Sequence, residues 1–239
     1  MDILATLIVA LVGYLLGSIS FARLIGKLVN PQKDLTKTEF DVPGTDEKFQ
    51  MTAVSATTAS MHLGQKFGCL TTILDMLKVT IPVLILRQFY SETSYSVILA
   101  ALAVVGHNWP LYHRFQGGRG FSPIYGGLVL FDWLAIPVTA ILGMLFGLIV
   151  LRDVLMAYMA GLWFLIPWLW FRTHDLWYVV YAVAVNIAFA AAMIPDIKQY
   201  VKFRRENPDI DLKTAMENSD MGRGMLKLAN RFGLMKDET

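Results

Sequence analysis

Read from its first residue, the chain sets long apolar stretches between short polar breaks, and those stretches have the length of membrane helices. A hydrocarbon core about 30 Å thick needs roughly 20 mostly apolar residues in helical form. Stretches near 3–25, 68–88, 94–112, 133–151, 154–172 and 176–194 supply that length. A further one near 117–131 is short and glycine-rich, which predicts a short or tilted helix. Segments such as "AIPVTAILGMLFGLIVL" carry no polar stripe at helical spacing, which excludes a soluble bundle. They also lack the alternating ten-residue strands of a membrane barrel. The pattern predicts an all-α polytopic membrane protein with about seven transmembrane helices.

The polar breaks divide the chain into an integral-membrane domain over 1–194 and a polar tail over 195–239. The tail, with mixed charge, predicts a surface helix or a disordered segment whose basic residues can meet anionic headgroups. The opening "MDILATLIVALVGYLLG" lacks a basic region and a small-residue cleavage site, so it reads as a first helix rather than a removable signal. Composition adds that 55% of the 239 residues are hydrophobic and only 17% are charged, which is outside the soluble norm. The single cysteine, Cys69, falls in a predicted span and reads as a core-filling thiol.

Basic residues cluster on one side of the predicted spans. Lys27, Lys33, Lys37, Lys48, Lys66, Arg114, Arg119, Arg152 and the tail fall there, against Arg87 and Arg172 on the other. Basic loops stay cytoplasmic, so the N-terminus is expected outside and the C-terminus inside.

One basic loop carries candidate chemistry. In "GHNWPLYHRFQGGRGF", residues 106–121, the glycines of Gly117–Gly118–Arg119–Gly120 let backbone N–H groups approach an anion. A turn that opens a helix adds the positive end of its dipole. Arg119 supplies a planar, permanently charged fork for phosphate or carboxylate. A tight structural connection is the competing reading. Asp75 and Lys78 can meet on one helix face as a structural pair, yet intramembrane charges are also functional candidates. Asn186 has two readings of equal weight, an interhelical hydrogen bond and a substrate contact. His62 and His113 read as exposed interfacial residues.

The same stretches resemble a known family. "GHNWPLYHRFQGGRGF" is similar to the second motif of the bacterial acyl-phosphate:glycerol-3-phosphate acyltransferases, the PlsY family, approximately GHxxPxxxxFxGGKG. "YLLGSISFARLIGK" at 14–27 resembles its first helix, and "LGQKFGCLTTILDMLKVTIPV" at 63–83 its second. The resemblance implies a PlsY-like fold of seven helices in the bacterial inner membrane. It also implies transfer of a fatty acyl group from acyl phosphate to glycerol 3-phosphate, giving lysophosphatidic acid without metal, coenzyme A or other cofactor. Membrane lipid is the implied surrounding, and nothing points to nucleic acid. By motif, Gly117, Gly118 and Arg119 would form a phosphate cradle, with Arg119 in place of the usual Lys. His107 and Arg119 would be the catalytic candidates, and Thr57, Lys78 and Asn186 would contact substrate.

Elsewhere the chain departs from the family pattern. Against GSGNxGATNxxRxxG it reads "QMTAVSATTASMHLG" at 50–64, placing Met51 at the serine, Ala53 and Thr58 at the asparagines and Met61 at the arginine. Against HxxNI it reads "VAVNI", with Val183 at the histidine. Losing the Met61-position charge from a low-dielectric site weakens anion binding. Ser55, Thr58, Ser60, Lys48, His62 and Lys66 are candidates to compensate. The insertion "KDLTKTEFDVPGTDEKF" at 33–49 reads most simply as a solvated loop, and as a reshaped acceptor side otherwise. Three function classes follow in order: an acyltransferase, a non-catalytic paralogue that binds phosphorylated lipid precursors or a partner, and a small transporter.

Overall fold

The computed structural model describes residues 2–41, 48–151 and 154–206. The first helix, α1 (Ile3–Gly17), starts where the Asp2 carboxylate accepts hydrogen bonds from the backbone of Leu4 and Ala5 at 3.3 and 3.1 Å. That N-cap satisfies donors that lipid could not. A break at Ser18–Ser20 leads to α2 (Phe21–Val29). The Ser18 hydroxyl bridges the break, donating to Tyr14 O at 2.8 Å and accepting from Leu111 N at 3.2 Å.

A two-stranded antiparallel hairpin follows, β1 (Thr38–Asp41) with β2 (Lys48–Met51), in register Thr38 to Met51 and Glu39 to Gln50. Then come α3 (Ala56–Leu63), α4 (Gln65–Phe89), α5 (Thr93–Asn108), a 3-10 turn at Leu111–His113 and α6 (Phe121–Phe131). The last part holds α7 (Ala135–Leu145) with a π-helical turn at Phe146–Val150, α8 (Val154–Thr173) and α9 (Leu176–Glu206). Helical elements fall on every apolar stretch read from the sequence, and α6 is short, as its glycines suggested. Among the described residues, Ile3–Val29, Gln65–Phe89 and Leu176–Lys202 are long and apolar enough to cross a membrane.

Helix α5 is the hub. Most of its side chains are buried, and α1, α4, α6 and α9 pack around it. The closest approach is to α1, where small residues let two backbones touch. A Cβ on Gly17 would run into the Ala103 backbone, and one on Gly13 into that of Leu99. Gly106 of α5 returns the contact against Tyr14. This crossing places the end of α5, and with it the loop that follows, against the break between α1 and α2.

Three sequence expectations are corrected. Cys69 is exposed rather than core-filling. It shares the outer side of α4 with Leu70, Ile73 and Leu77, which also face outward. The insertion expected as a solvated loop instead contributes the β1–β2 hairpin, although 42–47 lie outside the described residues. His62 and His113 are half-buried, not exposed. The boundary at 194/195 falls within α9, which runs unbroken through Pro195 to Glu206, and the rest of the expected tail, 207–239, lies outside the described residues.

The α1–α5 crossing yields a direct expectation. Gly17→Leu should destabilise the protein by at least the ~1–3 kcal/mol typical of an overpacked core, lowering its melting temperature in detergent. Leu11→Ala, at a position 58% exposed, should change stability by about 0.5 kcal/mol or less.

Candidate active site

The break after α1, the middle of α4 and the end of α5 meet at one buried ammonium. Lys78 Nζ donates to Asp75 Oδ1 at 2.6 Å and to Ile19 O at 2.8 Å, and lies 2.9 Å from His107 Nδ1. An ammonium has three protons, and these contacts use all three. His107 Nδ1 is therefore the acceptor, which assigns the remaining ring proton to Nε2. That nitrogen faces Gly118, where a Cβ would collide with it.

The loop is thus shaped by the imidazole beneath it. Gly118 N donates to His107 O at 3.1 Å, and Gly117 O accepts from Val54 N at 3.0 Å. The Gly118 N–H is consequently occupied by protein. The glycine is needed there for close approach to His107, and only Gly120, at φ +90°, needs it for backbone conformation. Gly120 also caps the N-terminus of α6, so the helix's positive end lies next to Arg119.

Arg119 points into a polar cavity of about 480 Å³. One wall is Lys37 and the hairpin residues Thr38, Gln50 and Met51. The facing wall is the Gln116–Gly117 loop and the end of α5, and Ala191, Ala192 and Pro195 of α9 close the apolar side. The Arg119 guanidinium is held by a donation from Nε to Asp196 Oδ2 at 2.7 Å, and its Nη2 lies in ion-pair contact with the same oxygen at 2.6 Å. Nη2 also donates to Thr52 Oγ1 at 2.6 Å. Thr52 Oγ1 in turn donates to Asp196 Oδ1 at 3.3 Å.

Of the residues singled out from sequence, Gly117, Gly118, Arg119, His107 and Lys78 come together, the last two as the support under the loop. Thr57 is exposed on α3 and lines neither this cavity nor the second one described below. Asn186 donates to Leu162 O at 2.7 Å and Ala182 O at 2.8 Å, tying α9 to α8. Val183 is 40% exposed and Met61 49%, and neither lines the cavity, whereas Met51 does.

The proposed compensating charges fall elsewhere. Burial first, and then Lys33, hold the His62 imidazole below its ordinary range, so it adds no charge at neutral pH. His62 Nε2 instead meets Thr38 Oγ1 at 2.8 Å. Lys66 is exposed outside the cavity lining, and the Lys48 side chain lies outside the described residues. The cation that does line the cavity beside Arg119 is Lys37.

Sequence reasoning missed Asp196, Thr52, Lys37 and Asn108. Asn108 lines the cavity, donates from Nδ2 to Ala188 O at 3.1 Å and has a buried Oδ1 with no partner among the described residues. Only the insertion's charge and length hinted at Lys37. Nothing in the sequence links Thr52, Arg119 and Asp196, which are brought together by the fold alone.

With that geometry described, comparison with known proteins adds the following. A family profile described as glycerol-3-phosphate acyltransferase matches residues 7–202. Glycerol-3-phosphate acyltransferase 1 of Lactobacillus johnsonii is 32% identical over 154 residues, covering 63% of this chain and 68% of that protein. The glycerol-3-phosphate acyltransferase of Pseudomonas entomophila is 32% identical over 121 residues, 50% of this chain and 57% of that one. The chain therefore spans somewhat more than half the length of these relatives. Two crystal structures of PlsY (YgiH), an integral membrane glycerol 3-phosphate acyltransferase, share the fold. The lysophosphatidic acid form matches at 22% identity and a TM-score of 0.65, and the glycerol 3-phosphate form at 23% and 0.63. Each match covers 83% of this chain and 93% of the other.

The buried support predicts strong coupling. Lys78→Met leaves the Asp75 carboxylate unpaired in a dry interior and should cost about 3–5 kcal/mol. Adding Asp75→Asn should recover part of that loss, because the orphaned charge is removed. Melting temperatures of both single variants and the double variant in detergent measure it. Additive losses would show that the two side chains are not coupled.

Proposed function

The chain belongs to the glycerol-3-phosphate acyltransferase family, and from that premise we propose that this integral membrane protein transfers a fatty acyl group from acyl phosphate to glycerol 3-phosphate in phospholipid synthesis. The observation that carries the proposal is the cavity of about 480 Å³ lined by Arg119 and Lys37, with Glu39 as the acid in its lining, beside the start of α6. Both substrates are anions, and cations and helix dipoles placed where negative charge develops are a large catalytic term. The wall of Ala191, Ala192 and Pro195 is suited to the first methylenes of an acyl chain.

The chemistry balances without a protein nucleophile. The acceptor hydroxyl oxygen attacks the carbonyl carbon of acyl phosphate, and a carbon–oxygen ester bond forms. The bond from that carbon to the phosphate oxygen breaks, its electron pair leaves with phosphate, and phosphate takes the hydroxyl proton. What remains for the protein is positioning and charge stabilisation, which together supply a large part of such a barrier. Arg119 serves the phosphoryl oxygens. His107 and Lys78 act beneath it by holding Gly118 in place. Thr57 and Asn186 keep their motif-based assignment as substrate contacts, which requires substrate or helix movement to bring them to the cavity.

A second reading, a non-catalytic binder of phosphorylated lipid precursors, is favoured by one observation. Arg119 is already engaged by Asp196 and Thr52, so an incoming phosphate must share or displace those partners. The basic side, containing this cavity, is taken as cytoplasmic and the membrane as the bacterial inner membrane, with the N-terminus outside.

Two measurements test these assignments. Purified protein in detergent, given labelled acyl phosphate and glycerol 3-phosphate, should form lysophosphatidic acid, and Arg119→Ala should lower kcat/KM about 100-fold or more, the scale of removing one charge-stabilising donor. Arg119→Lys should retain part of the activity. Wild-type binding of both substrates without product would select the non-catalytic reading. In spheroplasts, a cysteine placed at Gln116 should react with an impermeant thiol reagent only after lysis, the native Cys69 having been replaced by Ser. Reaction in intact spheroplasts would reverse the orientation.

A further inference from the structure

A second cavity, of about 360 Å³, lies between α2 and the turn that follows it. Arg23, Lys27 and Lys33 line it, with His113 from the 3-10 turn after α5 and a single acid, Asp34. It meets the candidate active site only at Thr36, which lines both cavities, and it has no place in the acyl-transfer chemistry.

The charge in this cavity is unbalanced. The Asp34 carboxylate is held ionised by two hydrogen bonds from Thr36, from its N at 2.9 Å and its hydroxyl at 2.7 Å, which keep it below the usual carboxylate range. It offsets one of three cations. Burial first, and then Arg23 and Lys27, press the His113 imidazole below its ordinary range, so it adds no charge to those cations at neutral pH. Arg23 donates from Nη2 to Gln116 O at 2.6 Å, while its Nε is sealed from water and has no acceptor among the described residues. Arg23 thus has a donor that no described protein group satisfies, on a residue that lines the cavity.

The other side of α2 indicates what kind of anion fits. Arg23 and Lys27 stand four residues apart and share one face, and Leu24 and Leu28, one position further on, share the next. Those leucines are 46% and 84% exposed, and α2 prolongs the apolar run Ile3–Val29. A cationic cavity edged by outward-facing leucines matches a molecule that is anionic at its head and apolar directly behind it. A soluble phosphate would use the cations and leave the leucine stripe bare.

We propose that the cavity between α2 and the 31–35 turn is a binding site for the phosphate headgroup of an anionic membrane lipid, whose acyl chains lie along Leu24 and Leu28. Lys27 is the direct probe, because it is exposed and its charge faces the cavity. Lys33 is a poorer one, since it also donates to His62 O at 2.8 Å.

The experiment uses the whole protein in a neutral detergent, titrated with phosphatidylglycerol or phosphatidylcholine and read by native mass spectrometry, with inorganic phosphate as a third arm. Wild type should retain phosphatidylglycerol preferentially. Lys27→Glu should weaken that retention about tenfold or more, given the scale of one Lys or Arg at an anionic surface, and leave phosphatidylcholine unchanged. Lys27→Arg should restore it. Leu28→Asn should weaken phosphatidylglycerol retention through the chains alone. Equal retention of the two lipids by wild type, or a Lys27→Glu protein that keeps the preference, overturns the site. Displacement of phosphatidylglycerol by millimolar inorganic phosphate, with Leu28→Asn having no effect, overturns the lipid assignment in favour of a free phosphate. Acyl-transfer activity is not the readout, so the outcome stands apart from that of the proposed function.

Discussion

One ammonium group ties the structure together. Lys78 bridges a carbonyl in the break after α1, a carboxylate on α4 and an imidazole at the end of α5. In an interior without water each of those groups would be expensive to leave alone. Together they satisfy one another and fix three chain segments at a single point. The glycine loop inherits its shape from that point, because the space where a side chain at Gly118 would lie is filled by the His107 ring. The placement of Arg119, one residue further on, therefore depends on charges that never reach the cavity.

This arrangement separates support from contact. His107 and Lys78 carry the strongest motif resemblance, yet both are buried under the loop, and the cavity surface belongs to Arg119, Lys37, Thr38 and Gln50. Arginine in place of lysine at 119 makes sense beside Asp196. A guanidinium presents a rigid fork of donors, here one to Asp196 and one to Thr52, while a lysine would offer a single point charge. The exchange at 119 and the acid at 196 are thus parts of one device, contributed by chain segments 77 residues apart.

The helices could be read from sequence because apolar runs of membrane length have few alternative folds. Which way each helix faces could not. On α4 the charged residues Asp75 and Lys78 lie on the buried face and no polar stripe marks the outward one, so Cys69 looks no different from a buried residue until its neighbours are placed. The motif glycines were recognisable, but the reason for them was legible only in part. Gly120 needs its positive φ as turn chemistry suggests, whereas Gly118 is required by an imidazole eleven residues back in the chain, a distance no local pattern encodes. The hairpin was hidden for a different reason. Its strands are four residues each and partly charged, so they lack the alternation by which a strand is recognised.

The altered first motif can now be placed physically. Met61 lies on the outer side of α3, so restoring a guanidinium there would send it away from the cavity unless α3 turned. Met51, in contrast, is the last residue of β2 and lines the cavity opposite Arg119. The hairpin that ends at Met51 also delivers Lys37 and Thr38 to the same wall. The insertion thus sets a cation and a hydroxyl, Lys37 and Thr38, among the residues that line the cavity with Met51. Charge recognition of a phosphate depends on the net field at the cavity and on the distance to each donor, not on which element carries them. A cation carried on a hairpin can therefore serve such a cavity without matching a helical motif.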